Sequence, residues 1–549
     1  MVKIKKYLSI AIGILEAMEN RKHSHTADTV YETIIELEEV LKKKGFIYQE
    51  KSSRSITGTI NLTVTNEENE GMITQVKFFP MKDTDTLKTF NKLDGRISFI
   101  RSYTKPDGSL SIQLPIEYGD SCKYFMEISK GSEYEILNAE VDIKAGEIIT
   151  NQQMLSRIVN IQERGWNAGD IHHHSIYSSP TYGGTDDVIE SPLEVAHSMQ
   201  SVGLTYGALS DHHNILNHSE WLKTASKDFT PIISKEISTS NGHVMSLNVP
   251  VDVIYDIPKG KQRTEEFLRN EFIRITDEIH TFNGLAQINH PKDLSPAISL
   301  NPKFMDMIEI FDTMEIWNGS NPMLRGTTNY AAVLLWLDLL EEGRFIPATT
   351  GSDTHNIRAN DYNKMLDKIT WLVTTAKSIV SVLPSELKSE VTYLICLYDK
   401  TVSLLENWAE NSLGSGCVRT YVYLDKECLP ENILSSLRKG NSFLTNGPIL
   451  IPSIKNKIPG EMVEVGHHQI DIDIKLISNK PLENLYIYTN GKKLTIIPLE
   501  NKINKDSKIF NYSQKLKDFN IEDIEWILFS AASDCTNLAI TNPIFIQHK

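Results

Sequence analysis

The stretch Gly169-Asp170-Ile171-His172-His173-His174-Ser175 decides how this chain is read. It comes after a β-rich leader, directly after Gly165-Trp166-Asn167-Ala168, and opens the most histidine-dense part of the sequence. His172 and His174 are two positions apart, so on a strand both imidazoles point to one side while His173 points to the other. Neutral imidazole is a ligand for zinc and related ions, and neighbouring carboxylates neutralise charge and can bridge two ions. An HxH pair alone is a weak signal. It gains weight from five more groups of candidate ligands downstream: Asp211-His212-His213-Asn214, Glu236, Asn241-Gly242-His243, Asn289-His290-Pro291 and Gly351-Ser352-Asp353-Thr354-His355.

These clusters fall where short apolar strands are expected to end. Strands are read at Ala168 to Ile171, Tyr206 to Leu209, Ile232-Ile233, Leu285 to Ile288, Met307 to Ile310 or Glu315-Ile316-Trp317, and Phe345 to Thr350. Helices are read between them at Ser191 to Ser201, Arg263 to Phe282 and Thr328 to Leu340. Alternation of this kind favours an α/β layer or barrel. The C-terminal strand ends of a parallel barrel form its active face, so one shared multi-metal site is the economical explanation.

The flanks read differently. Residues 1–50 carry helix-spaced Ile34, Ile35, Leu37 and Leu41, with a glutamate run before Lys42-Lys43-Lys44, the charge order that the helix dipole favours. From Gly58 the pattern turns to alternation, as in Thr59 to Val64, punctuated by turns such as Lys105-Pro106-Asp107-Gly108, which suggests a β-sandwich-like domain over 51–160. The barrel domain is expected over 161–425, with a helical insertion at 361–413. The segment 426–549 opens with a helix around Leu429 to Lys439 and then alternates, as in Ile470-Asp471-Ile472-Asp473-Ile474, giving a second β-sandwich-like domain.

Composition sets the outer limits. At 549 residues the chain exceeds one ordinary core. A net charge of −15 argues against a nucleic-acid partner, because such proteins usually present a basic patch. Five scattered cysteines without CxxC spacing indicate neither a disulfide framework nor a zinc ribbon, and a reduced, cytoplasmic setting fits best. Lys3 to Met18 has the basic-then-apolar order of an export signal, but Glu16 interrupts it and no small-x-small site comes after it, so an amphipathic helix is preferred with export as the alternative. No apolar run suits a membrane span. The expected partner is a small-molecule substrate, with a dimer as one option for the assembly.

The ordered set Asp170-Ile-His172-His-His174, Ser210-Asp211-His212-His-Asn214, Lys235-Glu236, Gly242-His243, Asn289-His290-Pro291, Glu315-Ile-Trp-Asn318-Gly and Gly351-Ser-Asp353-Thr-His355 resembles the polymerase-and-histidinol-phosphatase (PHP) superfamily. The Gly-Asp-Ile-His opening and Arg438-Lys-Gly-Asn-Ser-Phe-Leu-Thr-Asn-Gly-Pro448 resemble its CehA/McbA-type branch. The resemblance covers about residues 165 to 460. It implies a distorted (β/α)7 barrel and two or three divalent ions, zinc first, with manganese or iron as alternatives. It further implies that His172, His174, Glu236 and Asp353 hold one ion, His212 and His355 a second, and Glu236, His243 and His290 a third, with Glu236 bridging. The family's additional ligand after the HxH pair would fall on Asp186 or Asp187, across a longer loop.

The chemistry that such a site implies is hydrolysis through a metal-bound hydroxide, with Asp211, His213 or His173 passing the proton. Orientation of His212 is an equal role for Asp211. A phosphoester follows the superfamily and a carboxylic or carbamate ester follows the branch; phosphate clamps would be Arg325 and Arg358. The alternative is a non-catalytic, metal-stabilised binding protein whose β domains take carbohydrate or a partner.

Overall fold

The computed structural model describes residues 56–81, 100–116, 120–184, 186, 188–239, 241–255, 264–293, 298–319, 322, 327–357, 414–499, 510–533 and 537–549. The helical segment expected over 1–50, the insertion expected over 361–413, and Asp187, Arg325 and Arg358 lie outside these residues. The protein is mixed α/β, and most of its regular structure is sheet.

Seven strands come first: β1 (Thr57–Thr65), β2 (Gln75–Met81), β3 (Ile100–Tyr103), β4 (Ser109–Pro115), β5 (Ser121–Ser129), β6 (Leu137–Lys144) and β7 (Ile148–Met154). They form two sheets, ordered β4-β1-β7 and β3-β2-β5-β6. Period-2 alternation turns Ile60, Leu62 and Val64 of β1 into the same core as Val76 and Phe78 of β2 and Tyr124 and Met126 of β5. The Asp107-Gly108 turn explains itself locally. The Asp107 carboxylate accepts from Ser109 N at 2.9 Å, and Gly108 sits at φ 78°, where an added Cβ would meet Val64 O.

The central region supplies β8 (Trp166–Asp170), α1 (Pro192–Ser201), β9 (Tyr206–Leu209), α2 (His218–Trp221), β10 (Thr230–Thr239), β11 (Gly242–Leu247), α3 (Glu265–Thr281), β12 (Leu285–Ile288), β13 (Thr313–Asn318), α4 (Thr328–Glu341) and β14 (Ala348–Gly351). Helix α1 starts where the sequence places a capping box: Ser191 caps the Glu194 N–H, and the Glu194 carboxylate returns to Ser191 N. Strands β8, β9, β12 and β14 are buried along their whole length, as strands covered on both faces are.

The strands run β8 to β14 in sequence order across the sheet. Pairing is parallel for β8–β9, β9–β10, β12–β13 and β13–β14, but antiparallel for β10–β11 and β11–β12. Two sequence expectations therefore change. Residues Met307 to Ile310 belong to a 3₁₀ helix (Pro302–Ile310), so the strand there is β13. Gly242–Leu247, where no strand is read from the sequence, is a strand that turns straight back on β10, so His243 opens a strand and does not close one. At one end of the sheet the run folds round on itself: Asp353 N donates to His172 O at 2.8 Å and His174 N to Thr354 O at 3.1 Å.

The other edge of β8 carries β15 (Arg419–Tyr423), which is followed by α5 (Pro430–Lys439) and β16 (Ser442–Thr445). Beyond these come β17 (Ile449–Ile454), β18 (Met462–Val465), β19 (Gln469–Ser478), β20 (Asn484–Thr489), β21 (Lys493–Pro498), β22 (Phe510–Asn511), β23 (Gln514–Asn520), β24 (Trp526–Ser533), β25 (Asn537–Thr541) and β26 (Ile544–His548). The order β8-β15-β16-β25-β24-β20-β21 makes one 15-stranded sheet with the central strands, β18 and β26. The boundary expected at 425/426 falls between β15 and α5, and the sheet is continuous across it. A second sheet of β17, β19, β22 and β23 closes a C-terminal core of Leu450, Ile472, Leu476, Leu485, Ile527 and Phe529. Among the described residues no helix is long and apolar enough to cross a membrane.

Candidate metal centre

The strand ends carry the chemistry. His172 and His174 leave β8, His212 follows β9, Glu236 lies within β10, His243 begins β11, His290 follows β12, Glu315 lies within β13, and Asp353 and His355 follow β14. The nine residues expected to ligate, His172, His174, Asp186, His212, Glu236, His243, His290, Asp353 and His355, come together, and Glu315 joins them. Two of them take backbone conformations that cost most residues strain: His290 at φ 25° and Asp353 at φ 51°. Histidine and aspartate tolerate the left-handed region better than most, and strain held by surrounding structure is typical of working sites.

Glu236 is the hub. Its two oxygens lie 3.2 Å from His172 Nε2, 3.5 Å from His174 Nε2, 3.4 Å from His212 Nδ1, 3.1 Å from His243 Nδ1 and 3.2 Å from His290 Nε2. Asp353 Oδ1 approaches His174 Nε2 at 3.0 Å and His172 Nε2 at 3.3 Å. Asp186 Oδ2 lies 3.4 Å from His212 Nε2 and 3.5 Å from His355 Nε2. The His174 ring stacks on His355 at 4.1 Å and on His212 at 4.6 Å between centroids.

A surrounding set of groups aims these donors. Glu315, fully buried, stands 2.9 Å from His172 Nδ1 and accepts from His290 N at 2.8 Å. With Nδ1 occupied in this way, His172 turns Nε2 toward Glu236 and Asp353, the arrangement in which a carboxylate orients a ligating imidazole. Ser178 Oγ does the same for His174 Nδ1 at 3.1 Å, and Ser238 Oγ for His212 Nδ1 at 2.6 Å. Asn318 Nδ2 donates to Glu315 and to Asp353, and Asn289 Nδ2 to Glu236. Glu315 stands in the Glu315-Ile-Trp-Asn318-Gly motif of the sequence, but the ligand set implied there gives it no role. Beside that motif, its signal is a carboxylate in the middle of an expected buried strand, where ionisable groups rarely sit unpaired.

The other expected residues take different places. Asp211 is buried, and its carboxylate accepts from Ser175 N at 2.6 Å, Ser175 Oγ at 2.7 Å and Ser178 Oγ at 2.8 Å, with Asn217 Nδ2 as a further donor. It therefore reaches His174 through the Ser178 hydroxyl, not His212 directly. His173 faces away, with Nδ1 on His174 O and Nε2 2.8 Å from Ser415 Oγ; burial pulls its pKa down to about 3. His213 stands exposed at the rim, its ring 5.6 Å from that of His212. Asp170 ties three segments by accepting from His172 N, Ser352 N and Gly416 N.

The electrostatics favour a cation. Burial opposes the charge on Glu236, yet His172, His212 and His243 hold its pKa well below the ordinary carboxylate value. Burial likewise opposes Asp353, and His172 and the His174 hydrogen bond hold it well down. His172 is the counterpart: burial disfavours its charged form, but Asp353, Glu236 and Glu315 raise its pKa well above the usual histidine value. His290 is likewise raised to about 9, against burial, by its hydrogen bond to Glu236. Ring protons here do the neutralising that a divalent ion does when it displaces them. The buried His290 Nδ1 has no hydrogen-bond partner, and the donor set of imidazoles and carboxylates suits zinc, manganese or iron. The residues present fit a divalent metal.

Fold and site together define a mixed α/β protein with a carboxylate-centred histidine cluster at the ends of its central strands. No protein-family model matches the chain, and no curated protein matches it. Among solved structures it is similar to a Bifidobacterium adolescentis protein described as a metal-dependent phosphoesterase, at 13% identity over 34% of this chain and 87% of that one, with a TM-score of 0.25. It is also similar to an amidohydrolase from Chromobacterium violaceum holding sulfate and no metal, at 15% identity over 34% and 87%, with a TM-score of 0.22. A third, the Bacillus anthracis TIE protein, shares 12% identity over 22% and 19%, with a TM-score of 0.13. The functional reading rests on the site itself.

Proposed function

We propose that this chain is a metal-dependent hydrolase of the PHP superfamily and of CehA/McbA type. In this reading its central strands form the distorted (β/α)7 barrel, flanked by β-sandwich-like domains at 51–160 and 426–549. The observation that carries the proposal is the Glu236 carboxylate within 3.5 Å of ring nitrogens of His172, His174, His212, His243 and His290. Few other purposes account for burying one carboxylate among five imidazoles, since buried charge is costly without dedicated partners.

His172, His174, Glu236 and Asp353 would hold one ion, Asp186, His212 and His355 a second, and Glu236, His243 and His290 a third. When bound, such ions lower the pKa of a water toward ~7 and polarise the acceptor oxygen of the substrate. The chain's own contribution is to fix the donors. Glu315, Ser178 and Ser238 occupy the second ring nitrogens of His172, His174 and His212, so each remaining lone pair faces inward.

Of the three proton-transfer candidates, His213 is the one on the accessible side. Partial enclosure of its otherwise exposed ring lowers its pKa below the ordinary histidine value, with Lys235 acting in the same direction, which favours the neutral ring that can accept a proton. Asp211 has its oxygens occupied by four donors, and His173 is turned away toward Ser415. The substrate is a small molecule bearing a phosphoester or a carboxylic or carbamate ester.

The test is elemental analysis of the purified chain, followed by a panel of aryl phosphates, aryl esters and aryl carbamates with zinc, manganese or iron added. At least two equivalents of metal and metal-stimulated turnover of one class are expected. A protein that retains no metal and hydrolyses none of the panel would end the proposal.

A further inference from the structure

The N-terminal sheets reach the candidate metal centre through one strand. Arg101 and Tyr103 stand two places apart on β3, so their side chains leave the same face of it. Both end on one atom. The Tyr103 hydroxyl donates to Ile357 O at 2.7 Å, and Arg101 Nη1 donates to the same oxygen at 3.4 Å. The Arg101 guanidinium also lies against Gly414, where an added Cβ would come within 2.6 Å of Nη1. Ile357 is buried, and it follows closely on Asp353 and His355, two of the candidate ligands.

The loop after β14 needs holding. Asp353 sits at φ 51°, and backbone in that region persists where its surroundings over-determine it. From the β8 side the loop is fixed by Asp353 N on His172 O and by His174 N on Thr354 O. From the other side it is fixed by Tyr103 and Arg101 on Ile357 O. His355 lies between these two anchors. Its Nδ1–H donates to Asp353 O at 2.9 Å, so the backbone of its own loop orients the ring, with Nε2 3.5 Å from Asp186 Oδ2. Glu315, Ser178 and Ser238 aim His172, His174 and His212 by meeting their rings directly. For His355 the aim passes through the main chain, and a shift of Ile357 moves the imidazole with it.

We propose that Tyr103 is a positioning residue for the metal centre: by holding Ile357 O it fixes the loop that presents His355, and so tunes the affinity for the ion expected on Asp186, His212 and His355. The inference rests on the metal-binding reading above. It differs from a general role in docking the N-terminal sheets, which other contacts share. From α1, His197 Nε2–H donates to Thr104 O at 2.6 Å, beside Tyr103 in sequence but onto a helix that carries none of the candidate ligands.

The test compares the full-length wild type with Tyr103→Phe, which removes one hydroxyl and keeps the ring, and with His197→Ala, which removes the neighbouring contact. Each is stripped of metal by chelation and titrated with zinc against a chromogenic chelator. Cobalt(II) is then added for its visible spectrum, which reports the donors around the ion, and thermal melts record any loss of docking. Tyr103→Phe is expected to bind one equivalent of zinc about tenfold more weakly, the lower end of the usual cost of losing a group that orients a ligand, with an altered cobalt spectrum. His197→Ala is expected to match the wild type in both metal readouts, whatever its melting temperature. The proposal is overturned if Tyr103→Phe holds every equivalent as tightly as the wild type, or if His197→Ala weakens the same equivalent as much. A wild type that takes up no zinc and no cobalt would remove the metal-binding reading itself, and this inference with it.

Discussion

At the scale of single residues, the geometry of the site depends on groups outside the candidate ligand set. Ser178 is the clearest case, since its hydroxyl lies between Asp211 at 2.8 Å and His174 Nδ1 at 3.1 Å and accepts from His212 N at 3.0 Å. Ser178→Ala removes all three links while Asp211 keeps Ser175 and Asn217. We expect metal affinity to fall about 10- to 100-fold, the usual cost of losing a partner that orients a ligand, with a stability loss of about 1–3 kcal/mol. Competition with a chromogenic chelator reads the first and urea unfolding the second; unchanged metal affinity would show that His174 is aimed by something else. Glu236→Gln keeps the shape and removes the charge shared by five imidazoles, so at least one equivalent of metal should be lost on elemental analysis. Much of this set is legible in the sequence, because ligating residue types cluster at expected strand ends and strand alternation alone separates His172 and His174 from His173. The role of Glu315 is not, although its motif is, since a carboxylate inside an apolar strand gives no sign of which way it points until the strand across from it is known.

At the scale of elements, helices and parallel strands are legible because their signals are local: a capping box at Ser191, a fully apolar Tyr206 to Leu209, a 3.6-residue period over α3. The antiparallel β10–β11 hairpin is not. Its strand Gly242–Leu247 lies close behind β10 and pairs with β12 on its other side, a tertiary choice that periodicity does not encode. One element contact carries a pH prediction. Lys130, after β5, donates to Ile73 O at 2.5 Å and to Gln200 O at 3.0 Å, so it joins the N-terminal sheet to the C-terminal end of α1, where a cation is favoured. Burial nonetheless lowers its pKa to about 8 from the ordinary 10.5. Between those values the unfolded chain holds a proton that the folded chain has released, so stability rises with pH across that window, and the cost is fully present below pH 8. The rise across the whole window is about 3 kcal/mol. Thermal melts of wild type and Lys130→Met over roughly pH 7.5 to 10 should give a smaller pH slope for the variant; parallel curves would remove Lys130 as the cause.

At the scale of the whole molecule, the candidate ligand cluster and the C-terminal region share one sheet. Strand β8, whose end carries His172 and His174, has β9 on one edge and β15 on the other, and β15 continues through β16 and β25 to β24. The core repeats the connection, with Trp526, Leu528, Leu538 and Ile540 packed in the same apolar cluster as Ile288, Met314 and Trp336. A ligand that binds only the folded state stabilises it by about 4 kcal/mol at a thousandfold excess over Kd. If the sheet transmits that stabilisation, chelation should lower the melting temperature by several degrees and loosen the C-terminal strands together with the site. The measurement is amide hydrogen exchange by mass spectrometry with and without chelator. Peptides covering β16, β24 and β25 should lose protection along with those covering β8 and β14, because opening the site end of a continuous sheet exposes the hydrogen bonds of the next strand. If exchange rises only around His172, His212 and His355 while β24 and β25 keep their protection, the two halves of the sheet open independently, and metal then organises the site without supporting the fold beyond it.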